Sequence, residues 1–176
     1  PLRLEGEQMI FSQLDRVVAK TSSVMAAIGA SLIGLLGLTI VADVVGRQFG
    51  VPVTGIVELA AQTVVISAFL TIPFVMRRGG HIRATIIVSR TPVKVRKTLE
   101  VIAYSIGAVI FILLAFSAWD AFVEDFVNAS YEGEGALRIP TWPTRLTIFI
   151  ASILMIVESV LSVIKVFMKL EEVENE

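Results

Sequence analysis

One ionisable residue stands inside an otherwise apolar run, Glu158 within residues 146–164. A carboxylate in that setting is costly and is kept for a purpose. It can couple a proton or ion to transport, contact a partner helix, or serve as a structural hydrogen-bond acceptor. Lys165 follows within two turns, so the carboxylate also has a route to the basic interface by snorkelling. These readings stay open at the level of sequence. Other chemistries do not. The chain has no cysteine, hence no disulfide, thiolate nucleophile or Cys-based metal site. His81 is the single histidine, which excludes a multi-His metal centre. It stands in Arg77-Arg78-Gly79-Gly80-His81-Ile82, where arginines suit a helix C-terminus and glycine supplies a left-handed cap. A capping or interfacial role fits His81 better than metal ligation. No metal or cofactor is expected. A net charge of −1 gives no footprint for nucleic acid.

Three further groups of residues carry information. Asp43-Val44-Val45-Gly46-Arg47 precedes a Gly50-Val51-Pro52 turn and Glu58. Arg47 and Glu58 are expected either to pair across that turn or to meet a partner. Further on, Ile139-Pro140-Thr141-Trp142-Pro143 opens the last apolar run, with Trp142 suited to a membrane interface and Pro143 to a first helical turn. The residues Ser22, Ala26, Ala30 and Gly34 recur every fourth position, a ridge that lets another helix approach closely. That helix belongs either to this chain or to a second protein.

The elements that position these residues follow from hydropathy. The chain of 176 residues is 55% hydrophobic and only 18% charged, with a mean hydropathy of +0.81. A soluble domain carries about 25% charged residues. Here the charges are bunched between four apolar runs at 21–42, 59–76, 101–119 and 146–164. Each approaches or exceeds the roughly 20 residues that cross a hydrocarbon core of about 30 Å. Unbroken apolar runs specify helices, not the alternating strands of a barrel. The first run is too long and too far in for a cleaved leader, so it is read as a span. The expected fold is an all-α integral membrane protein, one membrane domain over 1–176. Segments 9–18 and 82–97 are expected as short amphipathic helices at the membrane surface. Lys and Arg set the orientation. Twelve fall on the side holding both termini and the middle loop, and three on the other. Both termini are therefore expected in the cytoplasm.

Read together, Asp43 to Arg47, the Gly-Val-Pro turn, Glu58, the apolar span and Gly79-Gly80-His81-Ile82 resemble the small membrane subunit (DctQ-like) of tripartite ATP-independent periplasmic, or TRAP, transporters. Pro140 and Trp142 before the last span extend the resemblance over roughly residues 10–168. An aspartate common in that family soon after His-Ile is missing here, where Ile82-Arg83-Ala84-Thr85 stands. The resemblance implies a bacterial inner-membrane protein with two partners. One is a large, elevator-type permease subunit carrying the substrate and sodium sites. The other is a periplasmic substrate-binding protein delivering an organic acid. The small subunit is implied to be a fixed scaffold that also helps receive the binding protein. Membrane lipid is the remaining partner.

The residues agree with a scaffold, because the first three spans have no central ionisable group. Two other readings compete. A self-sufficient four-helix carrier acting as a dimer would use Glu158 as its coupling acid. A membrane-embedded enzyme would need a nucleophile, metal set or acid–base pair that the sequence does not supply.

Overall fold

In lipid a chain has only its own backbone to satisfy its N–H and C=O groups, so the apolar runs become helices. The computed structural model describes residues 2–78, 93–133 and 138–174. Helix α1 is Leu2–Gln48, α2 Ile56–Arg77, α3 Val93–Val127 and α4 Trp142–Glu174. Segments Phe11–Gln48, Ile56–Arg77, Thr98–Val127 and Trp142–Val166 are long and apolar enough to cross a membrane. They contain the four apolar runs. Gly80, His81 and most of segment 82–97 lie outside the described residues.

The stretch 9–18 is not a separate short helix. It is part of α1, which is continuous over 47 residues, about 70 Å at 1.5 Å per residue. The reason is punctuation: no proline or glycine occurs between Glu7 and Ile28, so nothing stops the helix from running into the span.

Where helices do stop, the cause is local. Gly50, at φ 75°, follows α1. The Val51 N–H donates to the Gly46 carbonyl at 2.8 Å and the Gly50 N–H to the Arg47 carbonyl at 3.2 Å. This pair of bonds is a Schellman cap. A Cβ on Gly46 would run into the Val51 carbonyl oxygen, so the turn requires glycine at both positions. Helix α3 ends the same way. The Ser130 N–H reaches the Asp125 carbonyl at 2.9 Å, but the left-handed residue is Ala129, at φ 50°. A short antiparallel ladder follows, β1 (Tyr131–Glu132) with β2 (Ile139–Pro140), setting Tyr131 opposite Pro140. Pro143 then sits in the first turn of α4.

The helices pack in the order α1, α2, α4, α3, with α1 also touching α4. Helix α4 is therefore central. Ala151 and Ser152 are fully buried and Met155 nearly so. Small and flexible side chains at these positions let three helices meet. The hydroxyls of Ser152 and Ser159 donate to the carbonyls of Ile148 and Met155 in their own helix, which removes the cost of burying them. The end helices α1 and α3 leave broad apolar faces exposed, including Leu38, Val41, Leu113 and Phe116. Patches of that extent mark a surface made for lipid or protein, not water.

Candidate functional site

The charged side chains that sequence reading scattered over three segments converge at one end of the bundle. Arg77, in the last turn of α2, donates through Nε to Glu158 Oε1 of α4 at 2.7 Å. Its Nη2 donates to Asp15 Oδ1 of α1 at 2.8 Å. Lys165, two turns beyond Glu158 on α4, donates to the same Asp15 oxygen at 2.6 Å. The Ser22 hydroxyl lies 2.9 Å from the Val18 carbonyl and 3.1 Å from Glu158 Oε1, so its one proton is shared between two acceptors. The spacing makes this possible. Asp15 and Ser22 are seven apart, as are Glu158 and Lys165, so each pair occupies one helix face. Antiparallel α1 and α4 then bring Asp15 to Lys165 and Ser22 to Glu158. Arg77 stands between the two levels.

Burial grades the cluster from inside out. The Glu158 side chain is 3% exposed and that of Arg77 19%, whereas Lys165 is 44% exposed. Glu158 is thus neither at the interface nor free. It is a buried carboxylate held by a guanidinium, with two acids and two bases in the cluster as a whole. Such a pair is costly to form, and costlier to break from one side only. Its evident effect is mechanical: it fixes α1, α2 and α4 to one another.

At the opposite end the polar contacts are smaller. Arg47 pairs with Asp43, one turn earlier on α1, at 2.8 Å. Pairing with Glu58, one of the two arrangements expected for Arg47, is not formed. Asp43 is already turned into the loop, where its other oxygen accepts the Val53 N–H at 2.8 Å, and an i,i+4 partner is the nearer one for Arg47. Glu58 is half-buried and forms no ion pair with a described residue. The Gln62 amide joins α2 to β1 and to the start of α4. It donates to Glu132 at 2.6 Å and accepts from the Thr144 hydroxyl. Asp125 and Arg145 link α3 to α4 at 3.4 Å. Around them Trp119 contacts Phe122 and Phe149, and Trp142 contacts Phe126, with centroids 5.1–5.9 Å apart. Pro140 is in β2, paired with Tyr131.

The small-residue ridge on α1 divides. Ser22 and Ala26 are buried, but Ala30 and Gly34 are exposed. The close crossing with α2 is instead at Gly29, where a Cβ would lie 3.0 Å from the Ser67 carbonyl oxygen and 3.2 Å from Leu70 and Thr71. A Cβ at Gly34 would meet nothing within 4 Å. A four-residue repeat drifts around a helix of 3.6 residues per turn, so the ridge leaves the α2 contact as it ascends.

The family profile described as Tripartite ATP-independent periplasmic transporters, DctQ component, matches residues 36–168, more than half of the chain. The chain belongs to that family. No curated protein and no solved structure matches it. It is the small component of a TRAP-type transporter, and DctQ is a family of transport components, not of enzymes. The match takes in Asp43, Arg47, Glu58, Gly80, His81, Pro140, Trp142 and Glu158, but begins after Ala30 and Gly34.

Three members of the DctQ chain's charged cluster escaped the sequence reading. Arg77 reads as an ordinary helix-end cation, Asp15 as part of a polar helix face, and Lys165 as a boundary marker. The available signal was the repeated seven-residue spacing of Asp15 and Ser22, and of Glu158 and Lys165. No group of three metal-ligating side chains occurs among the described residues.

Proposed function

We propose that this DctQ chain is the fixed scaffold subunit of a sodium-coupled organic-acid importer, oriented with both termini in the cytoplasm. It enlarges and braces a large elevator-type permease subunit, and its outer segments help to seat a periplasmic substrate-binding protein. The observation carrying this reading is the commitment of Glu158. A coupling acid must exchange its partner during transport. Glu158 is instead buried against Arg77 and Ser22, in a cluster that joins three helices. The exposed apolar faces of α1 and α3 supply area for a second membrane protein, and the outer hairpin supplies a surface in the periplasm.

Reconstitution tests it. The purified chain alone should give no sodium-dependent uptake of an organic acid, whereas the chain with its large subunit and binding protein should. Sodium-driven uptake by the chain alone would favour the dimeric carrier with Glu158 as coupling acid. Reporter fusions test the orientation separately. Those after residues 90 and 170 should read cytoplasmic and one near residue 132 periplasmic, the orientation that the distribution of Lys and Arg favours.

A further inference from the structure

Helix α1 leaves an apolar stripe open along most of its length. Leu14, Val17, Val24, Ile28, Leu35, Leu38 and Val45 are each 50–70% exposed. All fall on one pattern of alternating three- and four-residue steps, which keeps them near one side of the helix. The other members of the pattern, Thr21, Ser31 and Ala42, are uncharged and also exposed. Val45 lies 31 positions beyond Leu14, so the stripe is about 46 Å long at 1.5 Å per residue. A hydrocarbon core is about 30 Å thick. An upright α1 would leave roughly a third of the stripe outside it.

The polar side chains of α1 are arranged for a leaning helix. At the Arg77 end Gln13, Arg16, Lys20 and Ser23 are exposed. Each stands one place before a member of the apolar pattern, so this polar row runs beside the stripe, about 100° round the helix. At the far end of α1 the exposed charge is Arg47, paired with Asp43. Arg47 follows Lys20 by 27 positions, as Asp43 follows Arg16. That spacing is about seven and a half turns, so the polar groups at the two ends point in opposite directions. In a leaning helix the side turned to water at one end is turned to lipid at the other. An upright helix sets no such relation.

We propose that α1 crosses the bilayer at a steep lean, with residues 13–24 lying in the lipid interface at the Arg77 end. Leu14, Val17 and Val24 then sit among acyl chains, and Arg16 and Lys20 among phosphate headgroups. The occupant of the stripe is lipid, because the stripe is one continuous face of the membrane-crossing segment Phe11–Gln48. A lean of about 40° gives it a height of about 35 Å, which fits the core with both ends at the interface. The same lean accounts for Asp15, beside Leu14 but turned into the bundle. It lies below the headgroups, where a lone carboxylate is costly, and both Arg77 and Lys165 bond it. The surface role expected for 9–18 is thus met by inclination and not by a separate helix. The inference needs only that α1 spans the membrane. Its failure would leave the scaffold reading and sodium coupling standing.

The test uses the assembled transporter in phospholipid vesicles. The chain has no cysteine, so Gln13→Cys, Leu14→Cys, Val17→Cys, Ser23→Cys and Val24→Cys, all at exposed positions, each place one spin label in it. Collision of the label with oxygen, which concentrates in lipid, is compared with collision with a water-soluble nickel chelate. Labels at Leu14, Val17 and Val24 should favour oxygen several-fold, and labels at Gln13 and Ser23 the chelate, although the two kinds are sequence neighbours. An upright helix would sort the labels by level instead, with Gln13, Leu14 and Val17 wet and Ser23 and Val24 dry, and would overturn the proposal. Poor access of both reagents to Leu14 and Val17 would also overturn it, by placing the large subunit over the stripe.

Discussion

The two ends of this four-helix bundle are held together differently. At the end holding Arg77, charged groups far apart in sequence share one buried network, and three helices are joined through a single guanidinium. At the end holding Trp142, ion pairs are local or long: Asp43 with Arg47 on one turn, and Asp125 with Arg145 at 3.4 Å. Aromatic contacts and the Gln62 amide do the rest. The Arg77 end is specified by electrostatics in a medium where charge cannot be left unpaired. The Trp142 end is specified by shape.

The contrast predicts unequal sensitivity. Arg77→Ala strands Glu158 in the interior and should be the most damaging single change, by about 3–5 kcal/mol. Thermal unfolding in detergent would register it as a large drop in midpoint. Arg77→Met combined with Glu158→Leu removes both charges and should recover most of that loss. If the single and double variants were equally destabilised, the network would be contributing packing and not charge compensation. Next in size is Gly29→Leu at the α1–α2 crossing. The neighbours there are the Ser67 carbonyl and the Leu70 and Thr71 side chains at 3.0–3.2 Å. A backbone carbonyl gives way poorly, so about 1–3 kcal/mol of strain is expected, read in the same unfolding experiment.

These residues also show how much the sequence disclosed. Helix number and the location of the spans were legible because hydropathy in lipid is a one-dimensional property. Glu158 was legible as an exception for the same reason. Its partner was not. Arg77 is 81 positions away, and only the packing of α2 against α4 brings the two together. The acid that Arg47 meets was not legible because the turn's path decides it, and that path depends on the Gly46 and Gly50 cap. Continuity of α1 was missed because amphipathicity announces a surface but not a break. Ala30 and Gly34 were grouped with Ser22 and Ala26 by spacing, whereas helical drift leaves the first pair exposed and the second buried.

At the Trp142 end, Ala129 offers a smaller and opposite effect. It holds φ 50°, a left-handed conformation costing a non-glycine residue about 1–2 kcal/mol. Ala129→Gly removes that strain at the end of α3 and loosens the unfolded chain in return. A net gain of up to about 1 kcal/mol should appear as a modest rise in the unfolding midpoint. A fall would mean that the Ala129 methyl makes a contact worth more than the strain.

The smallest expected effect on the chain is the most informative about its partner. Gly34→Leu adds a side chain where a Cβ would meet nothing within 4 Å. Exposed substitutions of this kind change stability by roughly 0.5 kcal/mol or less, and leucine is the better helix former. The isolated chain should therefore unfold at nearly its original temperature, unlike Gly29→Leu only five residues away. Ala30→Leu should behave like Gly34→Leu, since Ala30 is also exposed. In the assembled transporter the comparison reverses if the upper part of this ridge meets the large subunit. A leucine wedged into a close crossing separates two backbones and loses many dispersion contacts at once. Copurification of the large subunit should then fall for Gly34→Leu while the small chain itself stays folded and inserted. Unchanged copurification with both substitutions would assign this face of α1 to lipid and move the subunit contact to another exposed surface, such as that of α3.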